Sequence, residues 1–374
     1  AYGTGEKANY ISRFASDNNL YLRGHTIMWD KRQAYKDEYK DFGKDDKAAA
    51  QKALGDYAFY MVQKYPYCSQ WDAVNEPSNN YYYRKMYGND FTAAIINSAK
   101  KANQSALMCL NETAISGTKD QDNSVKALIN VTEGLKEYGA DIDCIGIEAH
   151  SGGLIYPQTF YNQLDEISKS ADYIAVTEYD YVAQKENNAV TEEEALNVEA
   201  DMLRDMLICT YSHPKAAGFL MWGFGDKNHW RGNGPLTDIN YIEKPAMKYW
   251  NEYVKNLWNT EVYGKTDNNG EFSGRGHRGE YAVSVTVGDI SETFELCVSK
   301  DGDNEICVVY DKENSKIEYS RDAAVKSYDT DSVCSGNWRW QYFDSYDREY
   351  KDMQTHIGWV SGFSDDGSQN GKGW

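Results

Sequence analysis

Between residues 20 and 257, short apolar runs alternate with longer amphipathic stretches. The runs at 20–28, 70–76, 106–111, 142–150, 173–180 and 217–223 have the length and the β-branched or aromatic content of buried strands. The stretches at 47–64, 91–102, 124–138, 159–168, 191–210 and 245–256 read as helices. Strict strand–helix alternation predicts a parallel sheet with right-handed crossovers. Six β/α units can be counted, whereas a closed barrel of this kind needs eight. The stretch before Leu20 is too short for two more units, and residues 6–16 read as the helix that precedes the first strand. So read, the chain starts inside a barrel.

The pattern changes near Thr260. Tyr281, Val283, Val285 and Val287 alternate with smaller or polar residues, as in a half-buried antiparallel strand. Residues 294–298 and 306–310 supply two more such runs. These predict a small all-β domain, an immunoglobulin-like sandwich, over 258–312. Residues 313–374 are polar but aromatic-rich (Trp338, Trp340, Tyr342, Phe343, Trp359) and read as a tail or partial domain. The organisation expected is therefore a barrel over 1–257, a sandwich over 258–312 and a tail over 313–374.

Composition narrows the partners. A net charge of −19 over 374 residues argues against nucleic acid and anionic membrane, and favours a neutral or basic partner such as a neutral polysaccharide. The 31 Tyr and 10 Trp suit packing and sugar stacking equally. No run approaches the roughly 20 apolar residues needed to span a membrane. The chain opens without Met, as a processed or excised piece would. Its seven cysteines show no metal-type spacing. Cys297 and Cys307 flank a turn and are expected to face each other across a hairpin, while Cys109 and Cys144 read as buried thiols. Asn103, Asn111 and Asn130 begin N-x-S/T sequons, although Asn111 sits at a strand end where a glycan would fit badly.

In α/β barrels the reactive groups lie at the C-terminal ends of the strands. In order, those ends read Arg23-Gly-His25-Thr-Ile-Met-Trp29, Trp71-Asp-Ala-Val-Asn75-Glu76-Pro77, Gly146-Ile-Glu148-Ala-His150, Thr177-Glu178-Tyr-Asp180 and Trp222-Gly-Phe-Gly-Asp226-Lys-Asn-His-Trp230. The two-residue strand period places Gly146, Glu148 and His150 on one face, and Glu178 with Asp180 on one face. A lone strand-end glutamate is more often a salt-bridge partner than a catalyst. Five polar ends in barrel order carry much more weight.

These segments resemble glycoside hydrolase family 10, the xylanases, from about Tyr10 to Leu257. The resemblance implies a (β/α)8 barrel that hydrolyses internal β-1,4-xylosidic bonds with retention, by double displacement, without metal or cofactor. By resemblance Glu76 is the general acid/base and Glu178 the nucleophile. Such a pair needs separated pKa values. His150 can bond the Glu178 carboxylate and Asp180 can orient that imidazole. Asn75 is placed to bond the sugar 2-hydroxyl, and His25, Trp29, Trp222 and Trp230 resemble the wall around the sugar next to the scissile bond. Two residues depart from the pattern. Glu148 stands where the family usually has Gln beside the acid/base, and Asp30 where it has His or a small residue. The first two barrel strands are absent and are expected from upstream sequence of a longer polypeptide. Xylan or xylo-oligosaccharide is the expected partner, with no nucleic acid and no membrane, and secretion is the expected location. The alternative is a catalytically impaired xylan-binding or structural protein on the same barrel.

Overall fold

The first buried run forms two short strands, β1 (Arg23–Gly24) and β2 (Met28–Trp29), both parallel to β3 (Gln70–Asn75). Between them, Thr26 Oγ1 and the Ile27 N–H both donate to the Asp72 carbonyl, so the chain bends without leaving its neighbour. Gly24 is required here because a Cβ would collide with the Trp71 ring. The structure is a computed structural model that describes residues 5–319, apart from 19, 35–43, 114, 118–120, 154, 183–190, 228, 278 and 299–305.

The sheet continues through β4 (Leu107–Glu112), β5 (Cys144–Ile147), β6 (His150–Ser151), β7 (Tyr173–Tyr181) and β8 (Ala216–Met221). All pairings are parallel: β1 and β2 on β3, β3 on β4, β4 on β5, β5 and β6 on β7, and β7 on β8. These eight short strands fill the six barrel positions expected from the pattern. The expectation that one uninterrupted strand carries Gly146, Glu148 and His150 on one face is corrected. The strand breaks at Glu148, and Ala149 takes a left-handed φ of 60° before β6 resumes.

Helices fill the connections: α1 (Glu6–Asp17), α2 (Lys47–Lys64), α3 (Tyr82–Tyr87), α4 (Asn89–Ala102), α5 (Asp122–Lys136), α6 (Pro157–Ile167), α7 (Glu192–Ser212) and α8 (Pro245–Trp250). Local capping sets several of their starts. Asp46 accepts the Ala49 N–H at the head of α2, and Thr191 with Glu194 forms a capping box on α7. α3 has no such local signal. Its N–H groups at Tyr83 and Arg84 are satisfied at 2.8 and 3.0 Å by the buried Asp30 carboxylate, from the strand-end loop after β2. The helix expected over 245–256 stops at the fully buried Trp250 and continues as one π-helical turn, Asn251–Leu257.

Every residue of β3 and β4 is buried, so these strands carry polar side chains inward as well as apolar ones. Besides Gln70 at the start of β3, the buried polar residues are Asp72, Asn75, Asn111 and Glu112. Their desolvation is tolerable only where partners meet it, and those partners define the site below. Asn111 is fully buried, which leaves no room for a glycan on the folded chain.

The chain divides into two compact units between Trp250 and Asn251. In the second, β9 (Gly279–Val287) pairs antiparallel with β10 (Ile290–Val298), and β11 (Val308–Asp311) with β12 (Lys316–Tyr319). The described residues thus form two separate two-stranded ribbons, and the immunoglobulin-like sandwich expected for 258–312 is not seen among them. The β11–β12 hairpin also crosses the boundary expected between 312 and 313. Cys307 is a free thiol, and the side chain of Cys297, expected to face it, lies outside the description. The aromatic tail from 320 onward lies outside the described residues.

Candidate active site

Glu76 follows the last residue of β3 with a left-handed φ of 48°, a conformation that costs a non-glycine residue about 1–3 kcal/mol. Hydrogen bonds hold it there. Its N–H donates to the Asn111 carbonyl at 2.6 Å, and its own carbonyl accepts the N–H groups of Asn79 and Asn80 at 3.1 and 2.9 Å. The fully buried Glu112 carboxylate clamps the following loop, accepting from the Ser78 N–H at 2.9 Å and Asn79 Nδ2 at 3.1 Å. Asn80 Nδ2 donates to Glu76 Oε2 at 2.7 Å. Burial pushes the Glu76 carboxyl above the usual glutamate range, with the Asn80 hydrogen bond and the charge of Lys31 only partly opposing it.

Glu178, on β7, is buried in a denser set of donors. Asn111 Nδ2 donates to its Oε1 at 2.8 Å, and His150 Nε2 lies 3.2 Å from its Oε2. His25 Nδ1 is 3.8 Å from Oε1. Behind His150, Asp180 Oδ2 is 3.1 Å from Nδ1. Burial by itself would depress the His150 imidazole, but the Asp180 and Glu178 carboxylates outweigh it and hold the ring cationic well above its ordinary range. Asp180 is fully buried; desolvation is overcome by His150 and Arg231, which keep its carboxyl below the usual aspartate range. Arg231 Nη1 donates to Asp180 Oδ1 at 2.8 Å and Trp230 Nε1 to Oδ2 at 2.5 Å.

Glu148 joins the same cluster despite the break in its strand. Its Oε1 accepts from Asn111 Nδ2 at 3.0 Å, and its Oε2 lies 3.6 Å from His150 Nε2. Burial, then the neighbouring charges of Glu178 and Glu76, push its carboxyl well above the ordinary range. Glu148, His150 and Glu178 each bring a ligand atom within 4.8 Å of the others, a spacing that a metal ion tolerates. The protonated His150 works against ligation, which needs a neutral imidazole.

On the opposite wall, Asp72 pairs with Arg23 and lies 3.0 Å from His25 Nδ1. The Asp72 hydrogen bond and the Glu178 charge outweigh the depressing effect of burial and raise the His25 pKa. The Trp222 ring stands edge-on to both imidazoles, with centroids 5.5 Å from His25 and 6.3 Å from His150. Trp230 is 45 % exposed and edge-on to His150 at 5.1 Å, so its outer face is open to a ligand. Trp29 lies in register with Asn75 on neighbouring strands, and the Lys31 ammonium covers its ring at 4.7 Å. Asn75 is buried and accepts from Asn111 Nδ2 at 2.9 Å.

The ten residues assigned to the site from the sequence therefore gather toward the C-terminal ends of β1 to β8. Sequence reasoning passed over four others: Asn111, Asp72, Glu112 and Arg231. For Asn111 a signal was present, since it ends a strand in the same barrel layer as Asn75. Gly146 makes room for its side chain, as a Cβ there would strike the amide oxygen.

Among solved structures, native xylanase 10B from Thermotoga maritima superposes with a TM-score of 0.56 at 24% identity, over 66% of this chain and 78% of that one. Xylanase 10B from Thermotoga petrophila RKU-1, in complex with xylobiose, gives 0.58 at 23%, over 68% and 80%. These likenesses establish the barrel fold. Among curated relatives, the anti-sigma-I factor RsgI6 of Acetivibrio thermocellus is 28% identical over 76% of this chain, and endo-1,4-beta-xylanase 3 of Arabidopsis thaliana 27% over 79%. The chain spans 35% and 37% of their respective lengths. The model of glycosyl hydrolase family 10 matches residues 4–253, and the chain belongs to that family.

Proposed function

We propose that the chain is an endo-β-1,4-xylanase that cleaves internal xylosidic bonds with retention of configuration. The observation that carries this reading is the contrast between the two glutamates. Glu178 is held by Asn111 and by the His150–Asp180 pair, whereas Glu76 sits at the loop end with its carboxyl pushed up. Environments that differ in this way separate an acid from a nucleophile. In the first step Glu178 attacks the anomeric carbon, the glycosidic C–O bond breaks, and Glu76 gives its proton to the departing oxygen. In the second, Glu76 takes a proton from water, the water oxygen bonds the anomeric carbon, and Glu178 leaves as carboxylate. Only water is consumed, so no cofactor is called for. Asn75, His25, Trp29, Trp222 and Trp230 bind the sugars, and Glu148 lies beside them. The xylanase relatives support xylan as the substrate. A polymer of that kind is met outside the cell, so secretion goes with the proposal.

The test is hydrolysis of xylan and of an aryl β-xylobioside, followed by proton NMR of the first-formed anomer. Retention requires the β-anomer first. Glu178→Ala should abolish turnover, and azide should restore an α-xylosyl azide. Binding of xylan without any turnover would favour the impaired, purely binding role and sink the enzymatic one.

A further inference from the structure

The cations around the cleft are almost all committed. Arg23 pairs with Asp72, Arg231 donates to Asp180 and to the Ser151 carbonyl at 2.8 Å each, and Lys244 is buried 2.6 Å from Asp226. Lys31 differs. Among the described residues no carboxylate lies within ion-pairing distance of its ammonium, whose contact is the face of Trp29 at 4.7 Å. It stands at the reactive rim of the sheet. Trp29 is in register with Asn75, Glu76 comes next on β3, and Lys31 lies two residues beyond Trp29 on the adjoining strand end. Its charge is felt by Glu76, whose carboxyl it pulls down.

An aromatic face removes water from one side of an ammonium and leaves the other side to bind. The surrounding cleft holds Glu76, Glu148, Glu178, Asp72 and Asp180, on a chain of net charge −19. Such a site repels anions, and a neutral sugar backbone needs no bare cation at its rim. We propose that Lys31 binds the carboxylate of a uronic acid side group on a xylose unit beside the scissile bond, so that the preferred substrate is an acidic, uronate-substituted xylan. This rests on the xylanase reading and names its substrate class.

The experiment compares a linear xylohexaose with a xylo-oligosaccharide bearing one glucuronic acid, by calorimetric binding and by kcat/KM, for the wild type, Lys31→Met and Lys31→Arg. The ratio between the two substrates is the readout, because any change in Glu76 acidity affects both alike. The wild type should favour the acidic substrate by about fivefold, the size of one partly exposed ion pair. Lys31→Met should bring the ratio to unity, Lys31→Arg should keep it, and about 0.5 M salt should erase it by screening. An oligogalacturonide of equal charge should not bind. A ratio that Lys31→Met leaves unchanged, or equal binding of the oligogalacturonide, overturns this proposal alone. Failure to bind or cleave either xylo-oligosaccharide overturns the xylanase reading and this one with it.

Discussion

Asn111 Nδ2 lies 2.8 Å from Glu178 Oε1 and 3.0 Å from Glu148 Oε1, so one amide from β4 bridges carboxyl groups on two other strand ends. The same nitrogen is 2.9 Å from Asn75 Oδ1, while Thr177 Oγ1 donates to the amide oxygen at 2.6 Å and fixes its orientation. Two N–H protons thus face three acceptors, and the amide is the point where the site's buried polar groups are reconciled. Asn111→Ala should cost about 1–3 kcal/mol of stability, the penalty for leaving buried acceptors without donors. It should lower kcat more than it raises KM, since Glu178 loses a donor that holds it in place. Denaturant melts and steady-state kinetics on xylan check both. An unaltered kcat would remove Asn111 from the positioning of Glu178.

Glu148 makes stability depend on pH in a defined direction. Its folded carboxyl is raised, so its favourable contribution is complete below the ordinary glutamate range and is lost as pH rises through the folded value. Glutamine at this position never ionises. The melting temperature of Glu148→Gln relative to wild type should therefore climb as pH rises above the ordinary glutamate range. Calorimetry across that rise decides it, and a difference that stays flat would mean Glu148 is ionised in the folded protein throughout.

Asp180 behaves in the opposite sense. Its folded carboxyl is depressed, so the stability it contributes is present above the ordinary aspartate range and disappears as pH falls through the folded value. Asp180→Asn leaves the charged Arg231 and His150 without their shared anion, a loss of about 3–5 kcal/mol for a buried pair. The gap to wild type should close in acid. The His150 imidazole should titrate lower in the variant by NMR; an unmoved His150 titration would show that Glu178 alone keeps it charged.

Glu76→Ala should separate substrates by leaving group. Hydrolysis of xylan should fall by about 10²–10⁴, the usual size of general acid assistance. Dinitrophenyl β-xylobioside, whose leaving group needs little protonation, should lose far less in its first step. Equal losses on the two would take Glu76 out of the acid role.

Asp30→Ala should cost about 1 kcal/mol by removing the acceptor for the first N–H groups of α3. Restoring a cap by Tyr81→Ser, at the local N-cap position, should recover part of that loss in the same melts. No recovery would mean that Asp30 acts through the loop after β2 and not through the helix end.

The chain by itself determined whatever depends on neighbours a few residues away. Apolar periodicity placed six strand positions and the helices between them, and chain order put Glu76 and Glu178 at strand ends, because helix and strand periods are local properties. The same locality explains what stayed hidden. α3 is only six residues long and its cap comes from Asp30, more than fifty positions earlier. The break at Glu148–Ala149 is invisible to a count of alternating residues, yet Glu148 still reaches the Asn111 amide and His150 the Glu178 carboxylate. The alternation at Tyr281–Val287 revealed β9, but which runs pair is a matter of chain path, and the pairs proved to be two ribbons. Asn111 reads in the sequence as the first residue of a sequon. It becomes the amide at the centre of the site only when parallel register brings β3, β5 and β7 around it, across separations of 36, 37 and 67 residues. Lys31 is one lysine among 39 basic residues until the fold sets it against Trp29 with no carboxylate beside it among the described residues. Local pattern decides element type and the order of the strand ends; which buried polar groups share partners, and which charge is left to meet a ligand, is decided by packing between distant segments.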